Sequence, residues 1–163
     1  MNITDLIVGN LSRNLEMLKT TIADFSDAEL LVRPTPAANH AAWQLGHLVN
    51  AETSIGNNLR PGSMPALPLG FADRFTGKTT GIDDPKAMAT KEELLHLLTQ
   101  ARNGTIAWAK ALSPQEMDAP TPERMRRFAP TLAEAALGQA SHMTMHIGQL
   151  QVIRRKLGKP ILF

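Results

Sequence analysis

The sequence has no cysteine and no tyrosine, and carries 2 tryptophans and 5 phenylalanines in 163 residues. Without cysteine there is no disulfide, no thiolate metal ligand, no iron–sulfur cluster and no cysteine nucleophile. An aromatic share of 4% leaves few surfaces on which nucleic-acid bases could stack. Neither sign of charge dominates: Lys+Arg is 17, Asp+Glu is 15, and the formal net charge is +2. Nucleic-acid recognition usually needs a concentrated basic face. Only two small basic clusters occur, Arg124-Met125-Arg126-Arg127 and Arg154-Arg155-Lys156. The second falls where a helix should end, and cations there complement the helix dipole. Nucleic acid is therefore not expected as a partner. No apolar run approaches the roughly 18 residues of a membrane span, so no membrane association is expected. The start, Met1-Asn2-Ile3-Thr4-Asp5, lacks the basic and apolar segments of a secretory signal. A cytoplasmic location is the expectation.

What is present is an ordinary globular composition, 43% hydrophobic and 20% charged. The length suits a single domain over residues 1–163. The periodicity is helical almost throughout. Ile3, Leu6, Ile7, Leu11, Leu15, Leu18 and Ile22 recur at three- and four-residue steps, which makes one stripe of a long amphipathic helix. Ser26-Asp27-Ala28-Glu29 reads as a capping box opening a short turn, closed by Pro34 and Pro36. A second long helix is expected from about Asn39 to Leu59, where Arg60-Pro61-Gly62 stops it. From there to about Ala89, Pro61, Pro65, Pro68, Gly70, Gly77, Gly81 and Pro85 predict a long irregular crossover. Capping boxes at Thr90–Glu93 and Thr131–Glu134 open a third and a fourth long helix, with a short piece at Ser113-Pro114-Gln115-Glu116 between them. The fourth runs through Leu137, Met143, Ile147, Leu150, Ile153 and Leu157. Gly158 stands at the left-handed cap position and Pro160 follows the stop. The fold class is all-α: a four-helix bundle with a long irregular crossover between helices 2 and 3.

Chemistry concentrates in the histidines. His142-Met143-Thr144-Met145-His146 puts two imidazoles one turn apart on one helix face, where they can share a divalent ion. Met143 stands where a zincin would carry its glutamate, which disfavours metalloprotease chemistry. The same face carries Ala135, Gly138 and Gln139, small or polar beside an apolar stripe, and so points to a cavity. His47 is the natural third ligand, in a row with Trp43, Ala51, Ser54 and Asn58. Three neutral imidazoles leave positions for water or substrate. Zinc, nickel, iron, cobalt and manganese all accept such donors; zinc and nickel are placed first. The plain alternative is that these histidines are satisfied core groups. His40 and His96 take that plain reading, and Trp43 and Trp108 read as core or pocket walls.

Two segments carry a resemblance. Ala42-Trp43-Gln44-Leu45-Gly46-His47-Leu48 with Ala51-Glu52, and His142 to Leu150 followed by Arg154 and Gly158-Lys159-Pro160, resemble the second and last helices of the DinB/YfiT-like metalloenzymes. The resemblance implies a divalent metal held by His47, His142 and His146 at one end of the bundle, and a homodimer. For activity it implies a metal-dependent enzyme, since related members include low-molecular-weight-thiol S-transferases and a maleylpyruvate isomerase. The expectation is a thiol S-transferase, with a small thiol and an electrophile as partners, or a hydrolase in which the three-His metal activates water. The competing reading is a non-catalytic metal- or ligand-binding dimeric bundle. No general base stands out; Glu52 and Asp73 are the candidates. Glu52 could equally be solvated or paired, and the Phe71–Phe75 segment around Asp73 reads first as plain surface packing.

Overall fold

In a computed structural model, residues 2–162 are described; Met1 and Phe163, which the readings above included, lie outside them. Six helices follow one another: α1 (Ile3–Ile22), α2 (Ala41–Leu59), α3 (Phe71–Arg74), α4 (Lys91–Lys110), α5 (Pro114–Met117) and α6 (Leu132–Lys156). Four of them are long, and no strand occurs among the described residues. The chain is all-helical, as its periodicity predicts.

The helix ends follow from local hydrogen bonding. Thr131 Oγ1 accepts from the Glu134 amide, and the Glu134 carboxylate accepts from the Thr131 amide, so the box at α6 is complete. At its other end Gly158 takes φ 68°, the Lys159 amide donates to the Arg154 carbonyl and the Gly158 amide to that of Arg155. That is the full Schellman pattern. The Thr90 box forms only by half. Thr90 accepts from the Glu93 amide, but the Glu93 carboxylate does not return to the Thr90 amide and reaches instead towards Arg74 at 3.9 Å. The second long helix starts at Ala41 rather than Asn39, because His40 caps it: its Nδ1 accepts from the Trp43 amide.

The long helices pack in the cyclic order α1, α4, α2, α6. Helices successive in sequence are therefore diagonal twice, α1 to α2 and α4 to α6. Named contacts give the directions. Asn14 bonds α6 at Ala140 while Arg154 bonds Thr21, so α1 and α6 run parallel. Glu52 meets Arg102, and Gly56 and Gly104 both contact Met64, so α2 and α4 also run parallel. Lys91 bonds the carbonyls of Ala23 and Phe25, so α4 opposes α1. A parallel α2–α4 pair forces the chain to return the length of the bundle, which accounts for the long crossover over residues 60–90. That crossover is anchored by Phe71 and Phe75, both buried. Gly46 of α2 admits the Phe75 ring, which occupies the space a side chain there would need.

Burial trims the sequence stripes. Ile7, Leu11, Leu15, Leu18 and Ile22 are buried on α1, but Ile3 and Leu6 are exposed; on α6 Leu137 is exposed as well. Arg154 is no dipole-capping surface cation. It is buried, donating to Thr21 and Pro160 carbonyls and forming an ion pair with Asp24.

Candidate metal centre

His142 and His146 lie one turn apart on α6, and α2 runs against that face. His47 comes from α2 to meet them, and one nitrogen from each of the three lies within 4.8 Å of the others. The His47 ring stands 5.2 Å from that of His142 and 5.4 Å from that of His146, centre to centre. Trp43, one turn before His47, stacks on its imidazole at 5.0 Å and an interplanar angle of 6°. The indole Nε1 donates to Thr79 Oγ1 of the crossover, which holds that stack in place. Trp43 is thus a wall of the site, as expected.

The hydrogen bonds set the His146 tautomer. Gln44 is buried, and its amide nitrogen donates to the Asn39 carbonyl at 2.8 Å. A carbonyl can only accept, so the amide orientation is set and Gln44 Oε1 faces His146 Nδ1 at 3.0 Å. Nδ1 must then carry the proton, and Nε2 keeps a free lone pair. That Nε2 lies 3.3 Å from Nε2 of His142. Two imidazole nitrogens this close need a shared proton or a shared cation between them. A tetrahedral ion at about 2.0–2.1 Å from each nitrogen holds its ligands about 3.3 Å apart, so the spacing fits a metal.

The electrostatics point the same way. Burial lowers the pKa of His47. It lowers that of His142, with His47 and Arg102 adding to the effect. His146 is pushed down to about 3 by burial and by His142 and His47. All three imidazoles are therefore neutral at pH 7, the form that ligates. Of the two histidines read as satisfied core groups, His40 is one, fully buried between the Trp43 amide and the Ile82 carbonyl, whereas His96 is exposed.

Neither carboxylate candidate belongs to the cluster. Glu52 is 2% exposed and faces the buried guanidinium of Arg102, with Oε1 and Nε 3.0 Å apart. Burial raises its pKa against the pull of Arg102. It is paired rather than solvated. Asp73 is exposed, on the wall of a cavity of about 560 Å³ that also touches His47, Asn50 and Thr76. A second cavity, of about 340 Å³, touches His142, Gly138 and Gln139 on the other side. The small and polar face of α6, with Ala135, Gly138 and Gln139, does line a cavity.

Gln44 and Arg102 are missing from the sequence reading. Both left a signal. Arg102 sits on the buried stripe of α4 between Leu98 and Thr105, and Gln44 sits between buried Trp43 and Leu45.

No curated protein matches the chain. Among solved structures, a conserved protein from Enterococcus faecalis superposes with a TM-score of 0.75 at 20% identity, over 98% of this chain and 99% of that one. YfiT from Bacillus subtilis superposes with a TM-score of 0.68 at 17% identity, over 96% and 89%. YfiT is described as a probable metal-dependent hydrolase with an unusual four-helix bundle topology. The model of the DinB superfamily matches residues 10–150, and with that match and the three clustered histidines the chain belongs to the DinB superfamily.

Proposed function

We propose that the protein is a divalent-metal-dependent enzyme, with His47, His142 and His146 as the metal ligands. One observation carries the reading: three neutral imidazoles from two helices converge, one with its tautomer set by Gln44, and among the described residues no carboxylate completes the set. When bound, a divalent cation there supplies a positive charge that lowers the pKa of a coordinated thiol or water. The chain's own residues do the rest. Trp43 and Gln44 hold two of the imidazoles in place, and the cavities beside His47 and His142 give a substrate access from two sides.

Transfer of a low-molecular-weight thiol to an electrophile suits these residues better than hydrolysis. Glu52 is committed to Arg102, which leaves the exposed Asp73 on the wall of the cavity beside His47 as the remaining carboxylate candidate, and a thiol needs a general base less than water does. The description of YfiT favours the hydrolase version. A non-catalytic metal- or ligand-binding bundle is the competing reading. The expected homodimer has one support, the outward face of α6 with Leu137, Met145 and Val152 exposed; sedimentation showing only monomer would remove it.

Elemental analysis of tag-free protein tests the site. One metal per chain, lost in both His47→Ala and His142→Ala, supports it. Metal-free protein that cannot be loaded makes the histidines core groups. Thiol-dependent turnover lost in a folded His142→Ala supports the enzyme, whereas a lower melting temperature on chelation without any turnover supports the binding bundle.

A further inference from the structure

The two cavities beside the histidines differ in charge. The one next to His47 carries Asp73 with neutral polar groups and no cation. The one next to His142 has apolar walls, among them Ile55, Met125, Phe128 and Ala135, and a single cation, Arg124. Its volume, about 340 Å³, lies within the range of small-molecule pockets. Phe128 is 85% exposed, which is unusual for the largest apolar side chain in a cavity wall.

Arg124 is held but not neutralised. Its Nη2 donates to Asn58 Oδ1, a neutral acceptor, and among the described residues it forms no ion pair. Its neighbour Arg126 is committed to its own loop, with Nε donating to the Thr121 carbonyl. Asn58 lies about three turns beyond His47 on α2, roughly 16 Å along the axis. The cation and the histidine cluster therefore mark opposite ends of one apolar cleft.

We propose that the cavity beside His142 binds a molecule with an apolar body and an anionic end, with Arg124 recognising the anion while the body extends towards the histidines. A planar guanidinium with one donor already fixed presents its remaining donors in a set direction, which suits a carboxylate. The inference rests on the proposed function, since it names what the reacting molecule carries. Its binding step can nevertheless be measured without metal.

The experiment is calorimetric titration of octanoate and of octanamide into metal-free and zinc-loaded protein, with Arg124→Gln and Arg124→Lys beside the unaltered chain. Octanoate is expected to bind metal-free protein about tenfold more tightly than the uncharged amide. Arg124→Gln should erase that preference, and Arg124→Lys should keep part of it. Arg124 is exposed, so neither change threatens the fold. Equal affinities, no octanoate binding, or a preference that survives Arg124→Gln would overturn the proposal. A preference seen only with zinc would place the carboxylate at the metal and overturn it too. Failure of the protein to take up zinc is read separately: it defeats the proposed function, and the metal-free arm still decides the anion site.

Discussion

The side-chain oxygen of Gln44 and Nδ1 of His146 lie 3.0 Å apart across the contact of α2 with α6. Because the Gln44 amide nitrogen is engaged by Asn39, the contact orients a proton as well as a ring. Gln44→Leu is expected to lower zinc affinity about 10- to 100-fold, the usual cost of losing a partner behind a ligating histidine. Gln44→Glu, which still accepts from Nδ1, should recover most of it. Competition with a chromophoric chelator measures both. An unchanged affinity in Gln44→Leu would show that His146 needs no such support.

The Glu52–Arg102 pair is buried on both sides. Removing one partner leaves an uncompensated charge in the core. Arg102→Met is expected to cost about 3–5 kcal/mol in urea unfolding. The double variant Glu52→Leu/Arg102→Met should be more stable than Arg102→Met alone, because it removes the stranded carboxylate. Strictly additive losses would mean that the two side chains act independently.

His40 should make stability depend on pH. Burial lowers its pKa in the folded chain, so the unfolded chain takes up the proton first. Its contribution is present above the unfolded value of about 6.5 and is lost as pH falls from there through the folded value. Metal-free protein should therefore lose more stability between pH 7.5 and pH 5.5 than His40→Asn, in which the cap is kept and the titrating ring is gone. Urea midpoints at the two pH values give the comparison, and equal losses would remove His40 as the cause.

Gly46 lies in the middle of α2, where alanine would ordinarily stabilise a helix by about 1 kcal/mol. Here an added methyl group meets the Phe75 ring. Gly46→Ala is expected to destabilise by about 1–3 kcal/mol instead. Phe75→Leu in the same chain should return part of the loss, as thermal unfolding would show. A gain in stability from Gly46→Ala would mean that the crossover yields freely.

The histidine pair on α6 was legible because four residues of α-helix bring side chains to the same face whatever surrounds them. The α6 capping box and the Gly158 cap were legible for the same reason, since both close within a few residues. Leu137, Ile3 and Leu6 misled because an apolar side chain at the edge of a stripe is buried only if a neighbour reaches it. Glu93 departed from its box because Arg74, distant in sequence, offers another partner.

By itself the sequence determined the four long helices, both ends of α6, the irregular crossover and the shared face of His142 and His146. These depend on backbone geometry and on hydrogen bonds between residues close along the chain. Only the tertiary structure decided that α2 packs parallel to α4, that His47 arrives opposite His142, that Gln44 sets the His146 tautomer and that Glu52 is spent on Arg102. Those outcomes depend on which helix faces meet, and the diagonal order of the bundle is chosen by the summed burial of many side chains rather than by any local motif.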